Sequence, residues 1–428
     1  MPQLAEIPQP VRARIEQIGA ADLVIALFAP GAQSEFESVV ASIRESLAGL
    51  YQRVRIAIVY GGNHAAPEPM PEAEAPEKDQ PVRLLEYPSL EIETGSDPAH
   101  SIADAYRSVF AIGSNLGARA MAVIVSDLES VTPQWIYRMV QPLLDLDFDL
   151  VTPCYSHGRL EGLLNSGIVA PLTRALYGRR IQHPLGPDFG FSGRLASRLL
   201  ANAAASRPPA RSVASIAVDA ICEGFEVCQA GVGIRHYPHV DWTNQSQVLV
   251  QILGPLFDEI GRHASQWQKI RGSEDVPLFG EEPRLIDVPS SGARDGAGAM
   301  DIRWMIESYQ LGCRNLGEIW GAVLPPSILL DLAKLARMGP DQFRMPDRLW
   351  ARVLYDFALG YRLRIMNPDH LLRAITPVYL GWAASYALEL SEADEAAMAQ
   401  RTEQLALAFE AAKPYAVSRW RWPDRFNP

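Results

Sequence analysis

The chain has 428 residues, which is enough for two or three domains of about 150 residues each. Hydrophobic residues make up 48% of it and charged residues 21%, which is ordinary for a soluble globular protein. Its formal net charge of -11 argues against a general nucleic-acid binder, because phosphate contacts need a basic surface.

Little in the chain points to a membrane or to export. No apolar run approaches the ~20 residues needed to span a bilayer. The residues from Met1 to Glu6 lack the basic and apolar regions of a signal peptide, so we expect none. The four cysteines are scattered and mostly lie in apolar-rich segments, which favours core positions over zinc ligands. We therefore expect a reduced, cytoplasmic setting.

The first 150 or so residues alternate between strand and helix patterns. The predicted strands cover 22–28, 54–59, 82–87, 120–125 and 148–153, and the predicted helices cover 34–51, 98–116 and 133–144. The segment 64–81 is rich in Pro, Glu and Ala, and we expect a mobile loop there. The alternation predicts right-handed βαβ units and a parallel, doubly wound α/β sheet.

The pattern changes after about residue 158 and becomes helical after residue 300. We predict helices over 166–177, 189–205, 213–222 and 245–268, a strand over 226–234, and further helices over 302–320, 327–336, 348–361, 368–390 and 392–412. The Gly/Ser/Ala content near residue 292 indicates a linker. The predicted domains are an α/β domain over 1–275, a linker over 276–299 and an all-helical extension over 300–428.

An acidic cluster follows the predicted strand 120–125. Ser126, Asp127 and Glu129 come directly after it, and Thr132 and Pro133 read as the N-cap and first residue of the next helix. The carboxylates therefore fall at the carboxyl end of a central strand, where open α/β sheets bind their ligands. The alternative is an acidic helix N-terminus that complements the helix dipole.

Two stretches in the second half resemble a known enzyme family. Residues 165–180 and residues 184–192 (Pro-Leu-Gly-Pro-Asp-Phe-Gly-Phe-Ser) resemble signatures of the glucosylglycerate synthases. Segments near 127–136 and 223–230 are similar too, as is the helical tail. The family consists of retaining glycosyltransferases with the Rossmann-like GT-A fold, related to mannosylglycerate and glucosyl-3-phosphoglycerate synthases. The resemblance covers roughly residues 20 to 420.

The resemblance implies transfer of a hexose from a nucleotide-diphosphate sugar to glycerate or a similar small acid, with the anomeric configuration retained. It also implies a divalent metal, Mn²⁺ or Mg²⁺, which neutralises charge on the departing diphosphate. In this reading the donor site includes Tyr60, Gly61, Ser126 and Asp127.

Three arginines and one aspartate in these two stretches are candidates for roles in catalysis. Arg174 and Arg180, with Arg179 between them in the chain, are candidates to bind an acceptor carboxylate or a donor phosphate. The alternative for all three is a solvated helix C-terminus. Asp188 is a candidate to accept hydrogen bonds from sugar hydroxyls, and the alternative for it is the cap of the following helix.

Several positions depart from the family pattern. Tyr60 stands where the family has an aspartate, and Val125 stands where the first aspartate of Asp-x-Asp is expected. Val213 and Tyr237 take the places of an active-site aspartate and the metal-binding histidine. The family has a Pro-Gly-Lys-Gly-type loop whose lysine binds the donor, and residues 97–100 here bring no lysine. Valine cannot ligate a metal, and tyrosine cannot take the hydrogen bonds of a carboxylate.

The remaining candidate ligands define a rebuilt metal site. His236 and His239 flank Tyr237, Asp241 follows them, and together with Asp127 they make a mixed nitrogen and oxygen donor set. Glu129 is a candidate to replace the missing aspartate. The predicted metal ligands are thus Asp127, Glu129, His236 and His239. The alternative is a chance cluster in a loop.

Two functions remain open at this point. The first is an active glycosyltransferase that binds a nucleotide-sugar donor and a small hydroxy-acid acceptor. The second is a catalytically degenerate paralogue that acts as a binding or regulatory partner. A dinucleotide oxidoreductase is excluded, because no glycine fingerprint follows the first predicted strand. The apolar helical tail with its Trp and Tyr residues makes a homodimer plausible.

Overall fold

The computed structural model describes residues 7–28, 33–47, 54–61, 82–87, 98–125, 128–205, 213–235, 241–284, 300–391 and 393–423. The chain forms two compact units. The sheet unit comprises Met1–Ser156, His183–His236 and Val276–Pro283, and the helical unit comprises His157–Gln182, Tyr237–Asp275 and Arg284–Pro428. Residues 157–182 and 237–275, which the sequence assigned to the first domain, thus belong to the helical unit.

The elements follow one another in this order. They are α1 (Gln9–Ile18), β1 (Leu23–Leu27), α2 (Gln33–Ser46), β2 (Ile56–Gly61), β3 (Val82–Tyr87), α3 (Pro98–Leu116), β4 (Ala120–Ile124), α4 (Pro133–Asp145), β5 (Leu150–Ser156), α5 (Ala170–Tyr177), β6 (Arg179–Arg180), β7 (Phe189–Ser192), α6 (Gly193–Ala205), α7 (Val213–Cys222), β8 (Val227–Ile234), α8 (Gln245–Arg262), α9 (Ala264–Trp267), β9 (Glu274–Asp275), β10 (Leu278–Gly280), α10 (Ile302–Asn315), α11 (Gly317–Val323), α12 (Pro326–Leu335), α13 (Asp347–Arg362), α14 (Pro368–Ala374), α15 (Thr376–Leu390) and α16 (Glu395–Arg421). None of the described helices is long and apolar enough to cross a membrane.

The sheet unit is built on one eight-stranded sheet in the order β10-β8-β5-β7-β4-β1-β2-β3. All pairings are parallel except those of β7, which runs antiparallel between β4 and β5. Every residue of β1, β2, β4 and β5 is buried, as expected for strands covered on both faces. The predicted parallel α/β sheet is confirmed, with the addition of one antiparallel strand.

Because β1, β2, β4, β5 and β8 are parallel, their carboxyl ends meet at one edge of the sheet. Leu27 pairs with both Tyr60 and Ile124 at this edge. We call it the carboxyl edge. The predicted start of α4 is confirmed: Thr132 is the N-cap, and its Oγ1 accepts a hydrogen bond of 3.2 Å from the Trp135 backbone N–H.

One predicted helix begins at the wrong residue. The predicted helix over 189–205 begins only at Gly193, because Phe189–Ser192 forms the antiparallel strand β7. Asp188 therefore precedes a strand, and the interpretation that it caps a helix was wrong. Part of the predicted linker also forms a strand, since Leu278–Gly280 pairs parallel with β8. The mobile loop predicted over 64–81 lies outside the described residues.

The helical unit packs around an aromatic cluster. Trp350 and Trp382 stack with ring centroids 5.6 Å apart. The Trp350 indole N–H donates a 2.8 Å hydrogen bond to the carbonyl of Gly167, which lies in a single π-helical turn, Asn165–Val169. A Cβ atom at position 167 would overlap the Trp382 ring, so glycine is needed there for close packing. This part of the 165–180 stretch is thus fixed by packing.

Candidate functional site

The candidate site lies at the carboxyl edge, around the buried carboxylate of Asp188. The backbone N–H of Val125, the residue directly after β4, donates a 2.7 Å hydrogen bond to Asp188 Oδ1. Asp188 is 0% exposed and stands one residue before β7. Ser126 and Asp127 follow Val125 in the chain but lie outside the described residues. Asp188 therefore holds the backbone at the entrance to the predicted metal-binding segment.

Tyr155 holds the second oxygen of this carboxylate. Its hydroxyl donates a 2.5 Å hydrogen bond to Asp188 Oδ2, from the penultimate position of β5. Tyr106, on α3, donates a 2.5 Å hydrogen bond to the carbonyl of Pro187. Burial and, secondarily, the charge of Asp188 raise the pKa of Tyr106 well above its ordinary value. The segment 187–188 is thus fixed by two tyrosine hydroxyls and one backbone amide.

Arg235 extends this set of contacts to the end of β8. Its guanidinium lies over the Tyr155 ring, 4.9 Å from the centroid, and its backbone N–H donates a 3.1 Å hydrogen bond to the carbonyl of Ser156. A β-bulge shifts the register of β8 against β5 before this point, and Gly233 has a φ of 101°. Such bulges redirect side chains at strand ends. His236 follows directly but lies outside the described residues.

His183 completes the packing around Tyr155. The imidazole lies edge-on to the Tyr155 ring with centroids 5.2 Å apart, and it is buried. Trp135, near the start of α4, lies on Tyr155 at 5.5 Å between centroids. The tyrosine ring is therefore held from several directions, and this fixes the position of its hydroxyl at Asp188.

Tyr60 and Gly61, two of the predicted donor residues, lie at the end of β2 and are buried. Tyr60 is 2% exposed, and its ring packs on Phe36 with centroids 5.2 Å apart. Burial raises the pKa of Tyr60. Gly61 is the last residue of the strand. Of the predicted metal ligands, only Glu129 is described, and it is exposed in the short 3₁₀ turn after β4.

The predicted basic residues lie in the helical unit and contact its carboxylates. Arg174 is buried and bonds Glu403 at 2.6 and 2.8 Å and Glu410 at 3.1 Å. Arg180 pairs with Asp275 at 3.1 Å and is half-exposed. These contacts favour a bridge between α5 and α16 as the role of Arg174, and its catalytic role stays a prediction.

Asp241 also has a local role in the helical unit. Its carboxylate accepts a 2.9 Å hydrogen bond from the Thr243 backbone N–H and caps the 3₁₀ turn Trp242–Asn244. His239 lies outside the described residues. The predicted cluster of His236, His239 and Asp241 is therefore described only at Asp241, whose carboxylate binds the backbone.

The chemistry of the predicted donor set fits a divalent metal. Carboxylates suit Mg²⁺ and Mn²⁺, and imidazole ligands favour the softer of the two. Val125, two residues before Asp127, and Arg235, directly before His236, both contact the Asp188–Tyr155 pair. Val125 and Arg235 thus lie at one edge of the sheet.

Sequence reasoning missed Tyr155 and Arg235. Both stand at the ends of strands, Tyr155 in β5 and Arg235 one residue after β8. A polar residue at the carboxyl end of a predicted parallel strand was the available signal, because such ends line the ligand-binding edge. Their link to Asp188 depends on the antiparallel insertion of β7, which the sequence did not predict.

Known proteins resemble this chain only at the level of solved structures. No protein-family model and no curated protein matches it. A mycobacterial protein of solved structure is 18% identical, with 58% of this chain and 78% of that chain covered and a TM-score of 0.39.

Two structures of glucosyl-3-phosphoglycerate synthase from Mycobacterium tuberculosis are also similar. One, in complex with Mn²⁺, UDP-glucose and phosphoglyceric acid, is 16% identical, covers 66% of this chain and 95% of its own, and has a TM-score of 0.37. The other, with phosphoglyceric acid, is 15% identical over 65% and 95% of the two chains, also with a TM-score of 0.37. Likeness at this level assigns neither a family nor an activity to this chain.

Proposed function

We propose that the chain is a metal-dependent glycosyltransferase of the GT-A type. It transfers a hexose from a nucleotide-diphosphate sugar to a small acid such as glycerate, with retention of configuration. Two features support this: the sequence resemblance over 165–192, and the parallel sheet that puts Val125 and Asp188 at the carboxyl edge. The observation that carries the proposal is the set of contacts from Val125 through Asp188 and Tyr155 to Arg235.

In this proposal Asp127 and His236 hold the metal, with Glu129 and His239 as further ligand candidates. The metal, Mn²⁺ or Mg²⁺, supplies charge neutralisation for the diphosphate that leaves the sugar. The chain's own contribution is to fix the spacing of the ligand-bearing segments before the donor binds. Preorganised groups of this kind stabilise developing charge without reorganising during the reaction.

A second candidate is a non-catalytic paralogue that binds a protein partner. Tyr60 favours it, because the residue that stands in the place of a donor-binding aspartate is packed into the core against Phe36. Val125 favours it as well, since an aliphatic side chain replaces a metal-ligating carboxylate. In this second proposal the chain keeps the fold of a glycosyltransferase and has lost the ability to transfer a sugar.

The experiment that separates the two is calorimetric titration of the full chain with UDP-glucose and GDP-mannose, with and without Mn²⁺. The enzyme proposal predicts binding tighter than millimolar for one donor, and dependence of that binding on Mn²⁺. Asp127→Ala should abolish the metal-dependent part, and Asp145→Ala, which removes an exposed carboxylate at the end of α4, should not. Binding of neither donor, with no effect of Mn²⁺, leaves the paralogue.

Transfer itself is checked by incubating the protein with the donor that binds and with glycerate. The expected product is a glycoside whose anomeric configuration, read by NMR, matches that of the donor. Donor binding without any product from glycerate or other small hydroxy acids would contradict the proposed reaction while leaving the donor site intact.

A further inference from the structure

The contacts at the carboxyl edge form a continuous path across four strand ends. The path runs from Arg235 after β8, through the ring of Tyr155 in β5, to Asp188 before β7, and ends at the Val125 amide after β4. The two ends of the path are one residue before His236 and two residues before Asp127. Each predicted metal-ligand segment therefore starts from an anchored backbone.

The two hydrogen bonds to the Asp188 carboxylate, from the Val125 amide and the Tyr155 hydroxyl, are stronger than ordinary neutral hydrogen bonds. A buried carboxylate is costly unless donors surround it, and hydrogen bonds to a charged acceptor are stronger than neutral ones. Asp188 receives a backbone N–H on one oxygen and a phenol O–H on the other, at 2.7 and 2.5 Å. The Arg235 cation over the Tyr155 ring draws electron density from the phenol and makes its hydroxyl a better donor.

We propose that Tyr155 and Asp188 are a positioning pair for the metal site. Asp188 holds the Val125 backbone, Tyr155 holds Asp188, and Arg235 ties the same tyrosine to the end of β8. The pair thus sets the spacing between Val125 and Arg235, which precede Asp127 and His236. That Asp127 and His236 bind the metal rests on the proposed function. In this role Asp188 acts through hydrogen-bond geometry, without contact between its carboxylate and the sugar or the metal.

The fixing of the backbone is tested first, by amide hydrogen exchange of the metal-free full chain. Tyr155→Phe keeps the ring and removes only the hydroxyl, so the Val125 amide should exchange at least about tenfold faster, because a weakened acceptor lowers local protection. The matched control is Tyr309→Phe, which also removes a buried hydroxyl, here one that donates a 2.7 Å hydrogen bond to the Leu332 carbonyl in the helical unit. The control should leave the Val125 amide unchanged.

Two substitutions of Asp188 distinguish a role through hydrogen-bond geometry from a role through the negative charge of its carboxylate. Asp188→Ala removes both acceptor oxygens and should speed exchange at Val125. Asp188→Asn keeps one acceptor for the Val125 N–H and gives Tyr155 an amide partner, so it should restore most of the protection. A role in which the negative charge itself acts on ligand would not be rescued by asparagine.

The same variants are then titrated with Mn²⁺. Loss of an outer partner of a metal site typically costs 10–100-fold in affinity, and we expect that loss for Tyr155→Phe and Asp188→Ala, with recovery in Asp188→Asn. Equal exchange at Val125 in the wild type, Tyr155→Phe and Asp188→Ala would overturn the positioning pair. Absence of Mn²⁺ binding by the wild type would instead remove the proposed function, and the exchange result would still decide the pair.

Discussion

The two halves of the stretch 165–192 lie in different surroundings, although both resemble signatures of one enzyme family. The half up to Gln182 belongs to the helical unit, where Arg174 pairs with carboxylates and Gly167 packs on Trp382. The half from His183 belongs to the sheet unit, where Asp188 binds the end of β4. The resemblance over 165–192 therefore includes residues whose contacts serve packing and residues that contact the strand ends, and only the structure distinguishes the two kinds.

Gly167→Ala should have the largest effect on stability. The added methyl group would overlap the Trp382 ring, which is itself stacked on Trp350, so the cluster cannot yield easily. We expect a loss of about 3 kcal/mol in the free energy of unfolding, measured with urea. The matched control is Gly317→Ala, at the start of α11, where nothing lies near the added Cβ and a neutral or stabilising effect is expected.

Titration of Gly167→Ala with Mn²⁺ and donor then tests whether the first half of the stretch serves packing or ligand binding. If the first half of the stretch serves packing, the folded fraction of Gly167→Ala binds both ligands as the wild type does. A variant of unchanged stability that has lost donor binding would show that the first half belongs to the site.

Arg174→Met should be the next largest change. It removes three hydrogen bonds to Glu403 and Glu410, and a buried hydrogen bond to a charged group makes a net contribution of about 1.5–3 kcal/mol. Because both carboxylates remain partly exposed, we expect a net loss of about 2 kcal/mol in urea unfolding.

The control for Arg174 is Arg179→Met. Arg179 pairs with Glu274 on the surface, where the two side chains are 44% and 78% exposed, and such pairs contribute at most about 1 kcal/mol. Unchanged stability of Arg174→Met, together with a loss of donor or acceptor affinity, would contradict a packing role for Arg174. That outcome would restore Arg174 as a ligand-binding residue.

Asp356→Asn should reveal a pH dependence confined to the helical unit. Burial raises the pKa of Asp356 to about 6, against the lowering effect of Tyr415 at 2.6 Å and Arg419 at 3.0 Å. Unfolded aspartate has a pKa of about 3.9, so between these values the folded state keeps a proton that the unfolded state has lost. The contribution of Asp356 to stability therefore falls as the pH rises from about 4 to about 6.

The measurement is the difference in unfolding free energy between the wild type and Asp356→Asn across that range. We expect the wild type to lose at least about 1 kcal/mol relative to the variant, since one pKa unit corresponds to about 1.4 kcal/mol. A constant difference between pH 4 and 7 would show that Asp356 is ionised as readily in the folded chain as in the unfolded one.

The helices and strands that depend on nearby residues could be predicted from the sequence. The strand Val82–Tyr87 and the helices Pro98–Leu116 and Val213–Cys222 begin and end where they were predicted. Apolar periodicity and capping residues act within a few positions, so they can be read without tertiary information. Phe189–Ser192 was different, because four residues carry no clear period and their strand state comes from pairing with β4 and β5.

For the same reason, single residues of the candidate site could be predicted from the sequence, but their contacts with one another could not. The end of β4 could be placed from the run of apolar residues before Ser126, and Asp188 could be singled out from the stretch around it. The bond between Asp188 and Tyr155 joins residues 33 positions apart, and it depends on the insertion of β7 between β4 and β5. No spacing rule predicts such a contact.

A double-mutant cycle of Asp127→Ala and His236→Ala, read by the affinity for Mn²⁺, decides whether these two residues share a metal ion. If the two residues ligate one ion at the carboxyl edge, each single change removes most of the affinity and the double change adds little, as expected for groups that act on one partner. Wild-type protein that does not bind Mn²⁺, or two effects that add independently, would contradict a shared metal site there.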